Sequence, residues 1–336
     1  MVINMNNNIL RCLIITLALF IKSLSAEEGK TMNTLQNKPV FELKFEGFGC
    51  IYLLEVNGVT VFTQANEQGK ISTRLPINHY MKPNNNTFKI STWTDESGFL
   101  NPNAYVKVEL IVSAHETPHK EFSLGTISFD NSKNEGEQKY ASSSLSGRYN
   151  PEKGFTLDDT GQLEVFDIVF NKDEDLLEYS RTFNIPSSIP LWAFFSSDDL
   201  PDYDSMSDDE YYQKMDKFLV EYMKVQDAIK NKDVASILPM FEERNKELDA
   251  AFYNPPGTLA KKIKVALNDA ANDASAELAE LNKDVLNFSR ADNKKLVSLT
   301  RSDNSAAVGL DYKEIEGSYS FDMIFRIQDG KWILTR

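Results

Sequence analysis

The sharpest chemical pattern in the chain is His115-Glu116-Thr117-Pro118-His119. It spells H-E-x-x-H, in which two histidines one helical turn apart hold zinc while the glutamate activates the bound water. Its surroundings read otherwise. The five residues fall between two strand-like runs, Pro118 would remove a helical hydrogen bond and clash within the turn, and no third ligand follows at a familiar spacing. A hairpin tip is expected, which leaves His115 and His119, with His79, as no more than a loop site for zinc or copper. No cofactor is expected.

A second concentration of chemistry is acidic. Asp198, Asp199, Asp202, Asp204, Asp208, Asp209 and Glu210 place seven carboxylates and no base within one short stretch. A calcium loop starting at Asp202 would need glycine where Ser207 stands and glutamate where Gln213 stands. Two readings remain. One is a solvated linker whose charge favours the positive end of the next helix; the other is a docking patch for a basic protein, with Asp198, Asp199, Asp202, Asp204, Asp208 and Asp209 as the partner-binding candidates. The chain has no G-x-S-x-G elbow and no glycine-rich phosphate loop. With three histidines, two of them in one loop, histidine acid/base catalysis is not expected, and carboxylate chemistry is the enzymatic alternative. Trp93, Tyr105, Trp192 and Trp332 sit at strand positions and read as core.

The 336 residues, 41 % of them apolar, have room for two domains. Residues 1–26 carry Arg11, then the apolar run Cys12–Ile21, then Ser23-Leu24-Ser25-Ala26 before Glu27, the pattern of a Sec-type signal peptide too short to span a bilayer. Cleavage after Ala26 would remove Cys12, leaving Cys50 as the one thiol and no intramolecular disulfide. It would also leave 34 basic against 50 acidic residues, a net −16. That balance disfavours nucleic acid and anionic membranes and favours a basic partner. Taken together, the signal, the lack of disulfides and the Asn- and Lys-rich composition point to a bacterial periplasmic or secreted protein.

The elements that must position these residues follow from periodicity. Residues 27–39 read as a loose leader. From Phe41 the period is two, and Ile51–Val56 and Val59–Thr63 flank Asn57-Gly58, a strong hairpin signal. Further strands are expected at 88–93, 105–113, 122–129 and 163–170, with an exposed loop or insert at 131–150. The extended, apolar 185–195 closes this half. Ser207-Asp208-Asp209-Glu210 fits a capping box. Behind it, one helix is expected through Ile229 and a second from Asp233, broken at Pro239. A third, from Thr258, carries Leu259, Ile263, Leu267, Leu278, Leu281, Val285 and Phe288 along one edge. Strands are then expected at 296–300, 306–312, 319–327 and 331–335, with Asp329-Gly330 making the last turn. The fold class expected is α+β: an antiparallel β-sandwich (40–196), an acidic linker (197–206) and a C-terminal domain (207–336) of about three helices packed on an antiparallel β-sheet.

Three resemblances add to this reading. Val56-Asn57-Gly58, Leu75-Pro76-Ile77-Asn78 and Lys82–Ile90, with its Asn-Asn-Thr turn, resemble accessory jelly-roll modules over about fifty residues, and that likeness carries no ligand residue across. The passage Ala228–Phe241 and the ending Phe325-Arg326-Ile327-Gln328-Asp329-Gly330-Lys331-Trp332-Ile333-Leu334 resemble the cystatin-like and nuclear-transport-factor-like cone superfamily over about 130 residues. That superfamily spans enzymes, carriers and inhibitors, so it fixes no chemistry. Signal, charge and two small modules together are similar to periplasmic immunity or inhibitor proteins that neutralise a secreted toxin by contact. The alternatives are an envelope protein that binds a small ligand or carbohydrate, and a metallohydrolase using His115 and His119.

Overall fold

A computed structural model describes residues 38–65, 69–93, 101–133, 141–145, 148–150, 154–156, 166–171, 176–183, 189–302, 305–312 and 318–336. The expected signal and nearly all of the leader lie outside these residues. The protein is α+β, and every strand pairing is antiparallel.

The first half is built from β1 (Pro39–Phe48), β2 (Tyr52–Val56), β3 (Val59–Gln64), β4 (Lys70–Pro76), β5 (Asn86–Trp93), β6 (Tyr105–Ala114), β7 (Thr117–Asp130), β8 (Ala141–Leu145), β9 (Arg148–Asn150), β10 (Gly154–Thr156), β11 (Phe166–Asn171) and β12 (Leu176–Phe183). One sheet runs β4-β1-β6-β7-β8, a second runs β11-β12-β5-β2-β3, and β9 and β10 form a small ladder. Alternation aims Phe41, Leu43 and Phe45 of β1 and Val106, Val108 and Leu110 of β6 into the same core as Tyr52, Leu54, Phe88, Ile90, Leu177 and Tyr179 of the second sheet. Phe129 stacks on Tyr179 with ring centroids 5.7 Å apart. Three expectations need correcting. Residues 131–150, expected as a loop, contain β8 and β9. The leader ends one residue early, because Pro39 opens β1 opposite Ala114 at a first-residue position that a strand proline tolerates. The strand β12 was not expected, because its inward side chains are Leu177, Tyr179, Arg181 and Phe183, and a buried arginine breaks the apolar alternation.

The second half holds α1 (Asp208–Lys230), α2 (Val234–Ile237), α3 (Glu242–Ala251) and α4 (Thr258–Asn272). Ser207 and Glu210 form the expected capping box. Helix α1 buries Met215, Phe218, Tyr222, Val225 and Ile229, while Met223, expected on this stripe, is exposed. Pro239 lies in a 3-10 turn, Leu238–Phe241, that separates α2 from α3. The third helix stops sixteen residues short of the expected Phe288, at Asn272. There Asp273 is extended and its Oδ1 accepts from the amide and hydroxyl of Ser275, an Asx-type turn that outcompetes the helix. The chain continues as β13 (Ala276–Leu278) and β14 (Leu286–Arg290), followed by β15 (Val297–Arg301), β16 (Val308–Tyr312), β17 (Ser318–Phe321), β18 (Phe325–Gln328) and β19 (Lys331–Leu334). These form two sheets, β13-β16-β17 and β14-β15-β18-β19. The single strand expected at 319–327 is therefore two strands in different sheets. The break falls where Ile324 exchanges backbone hydrogen bonds with Thr335 and Arg336. A second core gathers α1, α2, α4 and both sheets, and Tyr222 ties it together, its hydroxyl donating to Met323 O (2.9 Å) and accepting from Leu299 N (2.7 Å).

The halves meet turn on turn. Asn57 and Gly58 of the β2–β3 hairpin both have positive φ, as a two-residue turn of this hand requires. Asn293, in the β14–β15 turn, donates its amide to Gly58 O and its side chain to Asn57 O, each at 3.2 Å. A β-carbon on Gly58 would stand 2.8 Å from the Asn293 nitrogen, whereas Gly330, with the same φ of +72°, has open space around it. Gly58→Ala is expected to cost about 2–3 kcal/mol and Gly330→Ala about 1 kcal/mol in chemical denaturation. Equal losses would mean that the turn docking contributes nothing.

Candidate functional site

The H-E-x-x-H residues lie on a hairpin, as their context implied. His115 and Glu116 are the two turn residues between β6 and β7. The register then jumps from Ala114 opposite Thr117 to Ser113 opposite Glu121, so Pro118, His119 and Lys120 bulge from the ladder. The two histidines therefore share no helical face. His115 is held by its amide on Lys38 O and by an edge contact with Tyr253. His79, the third member of the expected loop site, sits apart, its ring against Tyr80 and Phe252. Among the described residues no group of three or more His, Cys, Asp or Glu is placed to hold a metal ion. Cys50 is buried in the first core.

The acidic stretch is fastened down along its first part. Asp198 accepts from the Asp329 amide (2.9 Å), Asp199 pairs with Lys295 (2.7 Å) and Asp202 pairs with Arg290 (2.8 Å). Lys295, hydrogen-bonded and close by, draws the Asp199 carboxyl down. Leu200 and Tyr203 are buried in the second core, so 198–203 is packed against the β14–β15 turn rather than strung out as a linker. Asp204, Asp208 and Asp209 remain exposed, the last two in the first turn of α1 where they complement its dipole. At the other end of α1 an open groove of about 470 Å³ is bounded by Glu221, Asp227 and Asp233 and floored by Ala228, Ile237 and Met240. Lys224 on its rim is paired with Glu221 at 2.7 Å.

A charged cluster that the sequence does not announce lies where the two cores adjoin. The 3-10 turn Asn78–Tyr80, which follows β4, packs against α3 and the end of the chain. Asn78 is fully buried. Its side chain accepts from Phe41 N (2.7 Å) and donates to Pro39 O (2.8 Å) and Ala251 O (2.9 Å), and its own carbonyl accepts from the Trp192 indole (2.9 Å). Arg336 donates to His79 O and to Glu247, its guanidinium lying over Trp192 and Phe194. Arg326 forks onto Glu243 at 2.7 and 2.8 Å. Burial pushes Glu243 up, but the Arg326 fork more than offsets it and leaves the carboxyl below its usual range.

Two charges near this cluster are not matched in that way. Arg244 of α3, half-buried, donates Nη1 to Asn245 Oδ1 at 3.2 Å, while its Nε is buried without an acceptor. No carboxylate among the described residues lies within ion-pair distance of it. Burial lowers Arg244, an effect Arg336 adds to and Tyr80 and Asp322 oppose. Asp322, in the β17–β18 connection, is exposed, and desolvation raises its carboxyl with Arg244 opposing in part.

His79 supplies a titration test. Burial, then Arg336 and Arg244, hold its imidazole well below the usual 6.5, and Nδ1 is buried without a partner. The folded ring stays neutral while the unfolded chain takes up a proton below about 6.5, so acidification through that pH favours unfolding. His79→Phe, which keeps a ring against Tyr80 and Phe252, is expected to flatten the loss of stability between pH 6.5 and 5 by up to about 1.4 kcal/mol per pH unit. Identical slopes in the two proteins would show that the ring titrates normally.

No family model matches this chain, and neither a curated protein nor a solved structure is significantly similar to it.

Proposed function

We propose that this is an exported, non-catalytic binding protein of the periplasmic immunity or inhibitor kind, which neutralises a secreted toxin by protein–protein contact. The observation that carries the reading is the unspent acidity. After Asp198, Asp199 and Asp202 are satisfied internally, Asp204, in the 3-10 turn before α1, and Asp208 and Asp209, in its first turn, still face solvent. The chain as a whole carries −14. A field of one sign raises the encounter rate with a basic partner and sets its orientation, and this needs no catalytic group. In this reading the two five-stranded sheets are the faces of a β-sandwich, and residues 207–336 form a cone-like domain of the cystatin and nuclear-transport-factor kind. No helix among the described residues is long and apolar enough to cross a membrane.

A second reading is an envelope protein that binds a small ligand, for which the open groove of about 470 Å³ at the end of α1 offers a concave surface. The hairpin geometry of His115 and His119 lends no support to a metallohydrolase.

Affinity capture from an envelope fraction tests the first reading. Tagged protein is expected to retain one dominant basic protein that elutes as salt rises. The triple substitution Asp204→Asn, Asp208→Asn, Asp209→Asn is expected to weaken its retention by about tenfold without altering the fold seen by circular dichroism. Retention of the same protein by the triple variant, at unchanged salt of elution, would remove the acidic edge from the mechanism. Retention of no protein would move the function to the small-ligand reading.

A further inference from the structure

We propose that the groove at the C-terminal end of α1 receives a lysine or arginine side chain of a basic partner protein, as the anchor of their contact. This rests on the binding-protein reading and adds to it the place where the partner docks.

Three features of the groove select a cation with an apolar stem. Its floor is Ala228, Ile237 and Met240, a surface that methylenes can cover. Its rim is acidic: Glu221 is paired with Lys224 at 2.7 Å, and Asp227 and Asp233 are exposed carboxylates with no ion pair among the described residues. Asp233 stands at the N-cap of α2 yet makes no capping hydrogen bond through its side chain, so that carboxylate is uncommitted. The third feature is the helix itself. The groove opens beside Asn231, the C-cap of α1, at the electronegative end of 23 residues of aligned peptide dipoles. Lys230 and Lys232, the nearest cations in sequence, are exposed and do not line the groove. The rim repels an anion, and a hydrated metal ion has no use for the floor. A basic side chain uses both, its stem on the floor and its charge at the rim.

Shape decides between a partner's side chain and a free small molecule. Small ligands sit in pockets that bury roughly 70–90 % of their surface. This groove, about 470 Å³, is open to solvent, and a free ligand in it would stay largely wet. A side chain projecting from a partner arrives with its own cover. The surface to be covered is apolar as well: Val220 and Met223, each one turn before a groove residue, Lys224 and Asp227, are 48 % and 44 % exposed. With Tyr212 they are three of the six exposed large hydrophobic side chains among the described residues, so half of that set lies on the one helix whose first turn carries Asp208 and Asp209. A charged anchor beside apolar contacts that exclude water is the layout of a binding hot spot.

The full chain, isotope-labelled for amide NMR, is titrated with three probes: a blocked glycine–arginine–glycine peptide, the same peptide with neutral citrulline in place of arginine, and spermidine. The arginine peptide at about 10 mM is expected to shift the amide signals of Asp227, Ala228, Asn231 and Ser236, and the citrulline peptide to bind about tenfold more weakly. The double substitution Asp227→Asn, Asp233→Asn is expected to weaken the arginine peptide by about tenfold while signals outside the groove stay in place. The wild-type comparison of the two peptides stands alone should that variant fold poorly. No shift at the groove, equal binding of the citrulline peptide, or spermidine bound tenfold more tightly than the arginine peptide would overturn the proposal. The last outcome would mark the groove as a site for small polyamines. In affinity capture, the basic protein held by the wild type is expected to elute from the double variant at lower salt. Elution at unchanged salt would overturn the anchor and leave the binding-protein reading standing, whereas retention of no protein by the wild type would remove that reading and this proposal with it.

Discussion

One amide holds the two halves of this protein in register. Asn78 is buried completely, and a buried amide that loses a partner costs on the order of 1–3 kcal/mol, so its position is dictated by its acceptors and donors rather than by apolar fit. Both of its N–H groups and its oxygen are used, two of them on the first strand and one on the last residue of α3. Tyr253 repeats the link by donating to Pro39 O, and Glu247 accepts from the Ala193 amide. A second polar knot lies nearby: Asn57 donates to Tyr80 O and to Asn86 Oδ1, and Asn86 closes the turn at Lys82. Directional bonds of this kind fix an angle between two bodies, which apolar contact alone leaves adjustable.

The consequence is that the charged groups around this junction are placed by the fold itself. Tyr80 follows Asn78 by two residues, and Arg244 precedes Ala251 by two turns of the same helix. Asp322 is set by the strand break at which Ile324 bonds to the end of the chain. Each charged group is therefore one short segment away from an anchored backbone. Lys89 extends the fastening on the opposite side, its ammonium touching Glu55 and Glu178 within the first half and Asp292 in the second.

What could be read from the sequence was whatever is decided locally. The capping box at Ser207, the turns at Asn57-Gly58 and Asp329-Gly330, and the break at Pro239 depend on residues within four positions of one another, and all are found in the structure. Misreadings arose where a period continued through a change of partner. Leu278, Leu281, Val285 and Phe288 keep a helix-like spacing, yet Asp273 has already turned the chain into strands. Alternation from Tyr319 to Ile327 is unbroken although the hydrogen-bonding partners switch between sheets at Asp322. Arg181 hid a strand by standing at an inward position. The acidic residues were visible, but not their partners Lys295, Arg290 and the Asp329 amide, which lie some 90 to 130 positions along the chain. The charged cluster was illegible for the same reason, since Glu243, Glu247, Arg326 and Arg336 are ordinary surface-type residues until the fold pairs them.

The bond from Arg336 to the carbonyl of His79 spans 257 positions, and that from Tyr253 to Pro39 spans 214. Closing a loop of that length costs roughly 5 kcal/mol of chain entropy, before any contact inside it returns a gain. Buried Asn78 stays short of a partner until α3 is in place, and the His79 carbonyl is left without its guanidinium until Arg336 is. Strands of the first half that pair locally thus still carry a buried amide and an open carbonyl whose partners lie 173 and 257 positions further on, which makes sealing of this junction a late step in folding.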